Sequence, residues 1–581
     1  MGKFIEELKR RNVLKSALAY LVVAWVLIQV FTTLLPIVDA PEWILKGLTF
    51  LLAIGLPIWI VVSWIYNLSP EGITKTTREA DDEIVRKITN KRLNAFLIAG
   101  LSLAVIVMGL KIANVFDFSP KDRLAIAVMP FVNISGNPEQ EYFSDGLSEE
   151  LINRLALTPQ LKVIGRTSSF AFKGTNVDLR EIGEMLGAAY LLEGSVRWAG
   201  NKIRITTQLV NSEDGFQLFS STFERELKDI FAVQDEIAMA ILDAIKIKLL
   251  KSEEEAFFRK YTENNEAYQL YLKGRYFKNR FTRDALLKAI EYYDQAIAID
   301  PSYAIAYAEK SFCYTSLRDF KWLPSDQTLP QGLEAAERSI ALDDNIAESQ
   351  LAIGRILLHY RWNVRDALAA FRKAVSMSPN NADAHVQIGF CLTLMGRHEE
   401  AVRHARIAED LDPLSPLTLF FTGVIHNHAK DFEAVLSNGQ KLIELEPNFY
   451  GGHLWASNGY FRLGRNEDAM RELELAARLN PGTFNLGLLA WGHAVTGDKE
   501  RALELTAALE DTDVNINGGA AELMISKAAL NDLDAAFRYF DMAIENRETM
   551  LLWEKMITWS MEEFTKDPRY AQRRSNMNLI F

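Results

Sequence analysis

Residue patterns able to do chemistry are scarce in this 581-residue chain. The densest is Asp145-Gly146 with Ser148, Glu149 and Glu150, an acidic group of the kind that holds a metal ion or trades protons. The same residues fit a helix start, with Ser144 or Ser148 as cap and carboxylates at the positive end of the helix dipole, and that is the reading adopted. Arg166-Thr167-Ser168-Ser169 with Lys173-Gly174 is a candidate anion site built on Arg166 and Lys173; the competing reading is a loop that packs Phe170 and Phe172 on a sheet. No phosphate-binding G-x-x-x-x-G-K-[ST], no H-E-x-x-H pair and no C-x-x-C occurs. No catalytic residue, metal site or cofactor is therefore expected.

All eight histidines fall between His359 and His493. His385 and His453 each stand six residues after a proline, Pro379 and Pro447, where an aromatic side chain packs inside a helical unit. They read as core residues. His426 and His428 are two apart on a helix and point in different directions, which is unsuited to sharing an ion. Cys313 and Cys391 are the only cysteines, at equivalent places two units apart. That separation exceeds the reach of about 7 Å between Cα atoms that a disulfide allows.

The elements that would position these residues announce themselves by period. Pro379, Pro413, Pro447 and Pro481 recur every 34 residues, the repeat length of the tetratricopeptide helix–turn–helix unit. Small residues seven apart precede them: Ala289 and Ala296, Ala367 and Ala374, Ala401 and Ala408, Ala469 and Ala476, with Ala536 and Ala543 in the last unit. Seven residues is nearly two turns, so each pair shares a helix face and admits close neighbours. Gly396, Gly464 and Gly497 mark the turns between paired helices. About seven units are expected over 264–546, followed by a capping segment over 547–581.

A solenoid of this kind binds more often than it catalyses. Its first helices line a concave groove, and the inward positions after each proline or its equivalent are Phe312, Leu351, Arg355, His359, Val386, Phe390, Phe420, Val424, His428, Leu454 and Asn458. A groove so rich in apolar and aromatic side chains suits an extended peptide or an amphipathic helix. The net charge of −12 argues against nucleic acid as a partner. A second copy of the chain is a possible partner as well.

Residues 122–249 read as α/β. LAIAVMPF is a buried strand, FSDGLSEELINRLAL a helix, LKVIGR a short strand, and DLREIGEMLG a helix bounded by Asp178 and Gly187. YLLEGSVRW, KIRITTQLV and FQLFSSTFER follow as strands, the first two joined at Gly200-Asn201. Ile203, Ile205, Thr207 and Leu209 mark one buried face. DIFAVQDEIAMAILDAIKIKL closes the region as a helix.

Residues 1–115 read as a membrane module. Three apolar runs, 16–35, 47–66 and 94–113, each have the length of about 20 residues needed to cross a bilayer. Lys3, Lys9, Arg10, Arg11 and Lys15 before the first run, and Lys75, Arg78, Arg86, Lys87, Lys91 and Arg92 before the third, place those parts in the cytoplasm. Three crossings then carry everything after about residue 114 to the periplasm of a bacterial cell.

AVMPFVNISGNPEQEYFSDGLSEELINRL, VIGRTSSFAFKG, LREIGEMLGAAYLLEGSVR and IFAVQDEIA closely resemble the TolB N-terminal-like domain that precedes tetratricopeptide repeats in many bacterial membrane proteins. The resemblance extends through AIEYYDQAIAIDPSYAIAYA to DPRY at Asp567–Tyr570, and KRRNVLKSALAYLVVAW…PEGI is similar to the membrane module of some members. Members bearing an N-terminal cyclase or winged-helix domain are named adenylate cyclases or regulators. Only about fifteen residues precede the first apolar run here, so no such domain is expected. The fold class expected is three transmembrane helices, an α/β domain and an all-α solenoid. The function expected is a non-enzymatic, inner-membrane-anchored scaffold or sensor holding a protein partner. Two alternatives stand beside it: the regulatory part of a cyclase-related signalling system that binds a nucleotide, and an envelope-assembly factor.

Overall fold

The computed structural model describes residues 124–581, apart from 200–201, 227–229, 250–253, 255–256, 512–518, 554–556, 578 and 580; before them it describes 66–69, 72–75 and scattered positions between 17 and 57. The chain divides into two compact units, Met1–Asp122 and Arg123–Phe581.

In the first unit, β1 (Tyr66–Ser69) and β2 (Gly72–Lys75) pair antiparallel, with Tyr66 opposite Lys75. This corrects the membrane reading. Among the described residues no helix is long and apolar enough to cross a membrane. A crossing helix needs about 20 continuous residues, and Tyr66, the expected end of the second run, instead opens a strand. Most of 16–35 and 47–66, and all of 94–113, lie outside the described residues. The three-span fold class therefore does not stand. The integral-membrane partner and the inner-membrane address, cytoplasmic at the N-terminus and periplasmic beyond about residue 114, lose their basis with it.

The second unit opens with a mixed sheet of β3 (Leu124–Val128), β4 (Val132–Asn133), β5 (Leu161–Val163), β6 (Tyr190–Ala199), β7 (Lys202–Asn211) and β8 (Gln217–Glu226). The order is β5-β3-β6-β7-β8, with β4 also on β6. β3 runs parallel to β5 and β6, while β6, β7 and β8 are antiparallel. Ile203, Ile205, Thr207 and Leu209 of β7 are all buried, as their alternation requires. Among the described residues, four helices accompany the sheet: α1 (Glu141–Ala156), α2 (Arg166–Phe170), α3 (Leu179–Leu186) and α4 (Ile230–Ala244). Asp178 caps α3 by accepting the Arg180 N–H, and Gly187 ends it at φ 59°.

Among the described residues, eight helix pairs then make a solenoid of the tetratricopeptide type. The first four are α5 (Asn265–Lys278) with α6 (Arg283–Ile299), α7 (Ala304–Asp319) with α8 (Ser325–Leu342), α9 (Ala347–Arg355) with α10 (Val364–Met377), and α11 (Ala382–Leu394) with α12 (His398–Leu411). The next four are α13 (Pro416–His428) with α14 (Phe432–Leu445), α15 (Tyr450–Arg462) with α16 (Asn466–Leu479), α17 (Thr483–Thr496) with α18 (Lys499–Glu510), and α19 (Ala520–Ala529) with α20 (Leu533–Glu545). Two short helices, α21 (Glu562–Lys566) and α22 (Pro568–Asn576), follow.

All ten alanines of the seven-residue spacing have no exposed surface. Gly439 shows why small residues recur here: a Cβ on it would meet the Ala456 backbone nitrogen at 2.3 Å. The α/β region shares one apolar core with the first repeats, since Phe143, Leu147 and Ile241 pack with Tyr268, Leu272 and Tyr293.

Candidate binding groove

The concave side of the solenoid encloses a cavity of about 2120 Å³. Seven of the eleven expected groove residues line it: Phe312, Leu351, Arg355, His359, Val386, Phe390 and Phe420. Leu454 and Asn458 border a separate hollow of only about 20 Å³. Val424 is fully buried between helices, and the His428 ring folds back on its own helix, with Nδ1 2.9 Å from the Val424 carbonyl. The periodicity that names a groove position fixes its helix face; the superhelical curvature decides whether that face meets open space or the next helix.

The wall combines aromatic and polar contacts. Arg355 lies over Phe312 at 5.1 Å and holds Asp383 with both carboxylate oxygens at 2.6 Å. His359 stacks on Phe390 at 6.0 Å, and burial lowers its pKa, so the ring is neutral at physiological pH. It sits in a π-helical turn, Ile356–Tyr360, that continues α9. Such a turn inserts extra backbone and re-aims the side chains it carries. Nothing in the alanine or proline spacing signals it.

The residues singled out as chemistry take part in ion pairs and hydrogen bonds within the fold. α1 begins at Glu141, so Ser144 and Ser148 lie inside the helix rather than at its cap. Ser148 Oγ instead accepts the Phe131 N–H at 2.8 Å. Glu149 is buried against Arg166 and Arg275, and Arg275 also reaches Glu150 at 2.5 Å. Burial would raise the Glu149 pKa, but the two guanidinium groups outweigh it and hold the carboxyl below its usual range. For Glu150 burial wins, and its pKa rises. Arg166 therefore serves Glu149 and stacks on Phe170 at 4.0 Å. Lys173 sits between Glu141 at 2.6 Å and Asp145 at 2.5 Å. Each cation of the candidate anion site is already matched by carboxylate.

Asp412, which sequence reasoning missed, joins the α/β region to the solenoid. It lies after α12, yet one carboxylate oxygen accepts both the Ser168 N–H at 2.9 Å and the Ser168 hydroxyl at 2.5 Å. Ser168 Oγ in turn accepts the Leu414 N–H, and the Gly165 N–H donates to the Leu411 carbonyl at 2.6 Å. Asp412 thus caps α2 from 244 residues away. Local capping rules look three residues ahead and have no means of finding it.

His385 and His453 are buried, each with Nε2 3.1 Å from the carbonyl of the proline six residues before it. His426 is buried near Glu409, and both cysteines are free and buried. Among the described residues no His, Cys, Asp and Glu cluster has the makings of a metal site.

Against known proteins, a family described as "HilA/YgeH-like transcriptional regulator, second domain" matches residues 122–240, well under half of the chain. "Putative adenylate cyclase 3" of Rhizobium meliloti (strain 1021) is 37% identical over 251 residues, covering 40% of this chain and 42% of that protein. "Transcriptional regulator HilA" of Salmonella typhimurium is 26% identical over 149 residues, covering 26% of this chain and 27% of that one. The chain thus spans less than half the length of either relative. Among solved structures, yeast Tom70 shares 14% identity over 60% of this chain and 82% of its own, with a TM-score of 0.34. YrrB, described as a TPR protein with an unusual peptide-binding site, shares 18% identity over 37% of this chain and 97% of its own, with a TM-score of 0.25. Superpositions that loose carry no argument, and the repeat fold rests on the helix pairs themselves.

Proposed function

We propose that this chain is a non-enzymatic interaction scaffold that binds a protein or peptide segment in the concave groove of its repeats. The observation that carries the reading is the cavity of about 2120 Å³, lined by seven residues that repeat spacing alone points inward. Pockets for small molecules are about 300–1,000 Å³, so the space suits a polypeptide segment better than a nucleotide. The nucleotide alternative also has no unmatched cation at Arg166 or Lys173. Residues 122–249, TolB N-terminal-like by their motifs, are a brace that fixes the curvature of the first repeats. The groove continues on this reading through Val424, His428, Leu454 and Asn458 when the repeats flex.

The test is photo-crosslinking in cells from Val386 and Leu351, with Glu467, exposed on the convex helix α16, as control. Polypeptide adducts specific to the groove positions are expected, and Phe312→Ala should weaken them. Equal adducts from all three positions would sink the reading.

A further inference from the structure

The groove is not empty of polypeptide: the chain's own segment after the last repeat lies across it. Leaving α20, residues Arg547–Trp553 turn back through a short 3-10 helix, Thr549–Leu552, and meet repeats from the other end of the solenoid. Arg318, at the end of α7, donates to the Arg547 carbonyl at 2.6 Å and to Thr549 Oγ1 at 3.0 Å. The Arg547 side chain lies 5.1 Å over Trp362 and donates to the Arg361 carbonyl at 3.3 Å. Trp553 then sets its ring edge-on to Phe390 at 5.8 Å and to Phe421 at 6.1 Å, and all three rings line the cavity. These contacts are those of a bound peptide: backbone and hydroxyl acceptors held by an arginine, and one aromatic anchor between two others.

The fit is incomplete at the anchor. Among the described residues the Trp553 indole N–H has no acceptor, although it is buried, and neither has Nδ1 of His359, which stacks on the same Phe390. A buried donor without an acceptor costs the occupant free energy that a better-matched ligand recovers. The middle of the segment is firmly seated, with Glu548 accepting the Gly519, Ala520 and Ala521 N–H groups and Met550, Leu551 and Leu552 buried in the core, so its loose point is the Trp553 ring.

We infer that the Trp553 end of this strap is displaceable, and that the partner of the groove is a short apolar segment ending in an aromatic residue that takes the place of Trp553 between Phe390 and Phe421. The inference rests on the peptide-groove reading above and adds to it the chemistry of the partner and a built-in competitor. Removing the strap's anchor opens the aromatic site. Releasing Arg318 loosens the strap without touching that site.

The experiment uses the full chain and, as probe, a fluorescent synthetic peptide with the sequence of residues 550–555, which lacks both acceptors of Arg318. Anisotropy titrations compare the wild type with Trp553→Ala and with Arg318→Gln, each checked for unchanged helical circular dichroism. Binding at least tenfold tighter to both variants than to the wild type is expected, and Phe421→Ala added to Trp553→Ala should abolish the gain; Phe421 is only half-buried, so the fold tolerates that change. Equal affinity for the wild type and both variants overturns the strap while leaving the groove reading in place. No binding to any of them also overturns it, and the crosslinking from Val386 then judges the groove on separate grounds.

Discussion

Replacing Asp412 tests whether the α/β region is held to the repeats by one carboxylate. In Asp412→Ala, the Ser168 N–H and hydroxyl both lose their acceptor in a buried place. A hydrogen bond to a charged group is worth about 1.5–3 kcal/mol, and a buried donor left unpaired costs about 1–3 kcal/mol. The two bonds share one oxygen and are not additive, so a local loss of about 3 kcal/mol is expected. Asp412→Asn is the informative control. Burial raises the Asp412 pKa against the opposing hydrogen bonds, so its ionised form is the costly one at neutral pH. An amide keeps an acceptor for Ser168 without that cost, and the loss should be under about 1 kcal/mol. Hydrogen exchange at the Gly165 and Ser168 amides is the assay, because a chain of this size does not unfold in one step. Asp412→Ala should lower their protection about 150-fold, at 1.36 kcal/mol per tenfold. If Asn lowers protection as much as Ala, or Ala changes it less than threefold, the capping argument is wrong.

Gly165→Ala should open the same junction by another route, since its Cβ would fall 2.5 Å from the Asp412 carboxyl carbon; exchange at the Leu414 amide reads it. Gly439→Ala presses on backbone that cannot turn aside and should cost at least the 1–3 kcal/mol typical of overpacking. Its signature is lost protection in α14 and α15; Gly396→Ala, at φ 75° with open space around it, should cost only left-handed strain and leave those two helices unchanged. Acid should weaken α11 and α12. Burial and the facing His385 push His404 down to about 3, and the two Nδ1 atoms lie 3.0 Å apart. The unfolded chain therefore binds the extra proton first: this stability is complete above about pH 6.5, and about 2 kcal/mol is lost by pH 5. His404→Leu should flatten that slope in the hydrogen-exchange protection of α11 and α12 measured across the range.

Periodic features were legible because stacking forces the same answer at every repeat. The seven-residue alanines and the alternation of β7 follow from helix and strand geometry, whatever lies far along the chain. Asp178 and Gly187 bound α3 by strictly local bonds. What local patterns miss has the opposite character. Ser144 and Ser148 look like caps because the capping rule cannot see that α1 has already begun at Glu141. Arg166 and Lys173 resemble an anion cradle until folding brings Glu149, Asp145 and Glu141 against them. The apolar runs near the N-terminus satisfy a length criterion for crossing, yet Tyr66 pairs across a hairpin. The strap has no repeat to reveal it, and Arg318, which holds it, stands some 230 positions upstream.

That last separation bears on how the molecule is made. Stacked repeats touch only their neighbours, so each can settle soon after it leaves the ribosome. Arg318 must wait for Arg547 and Thr549, 229 and 231 residues later. Until then the nascent chain is an open arc whose aromatic interior faces the surrounding medium. The segment that follows the eighth helix pair turns that arc into a hoop.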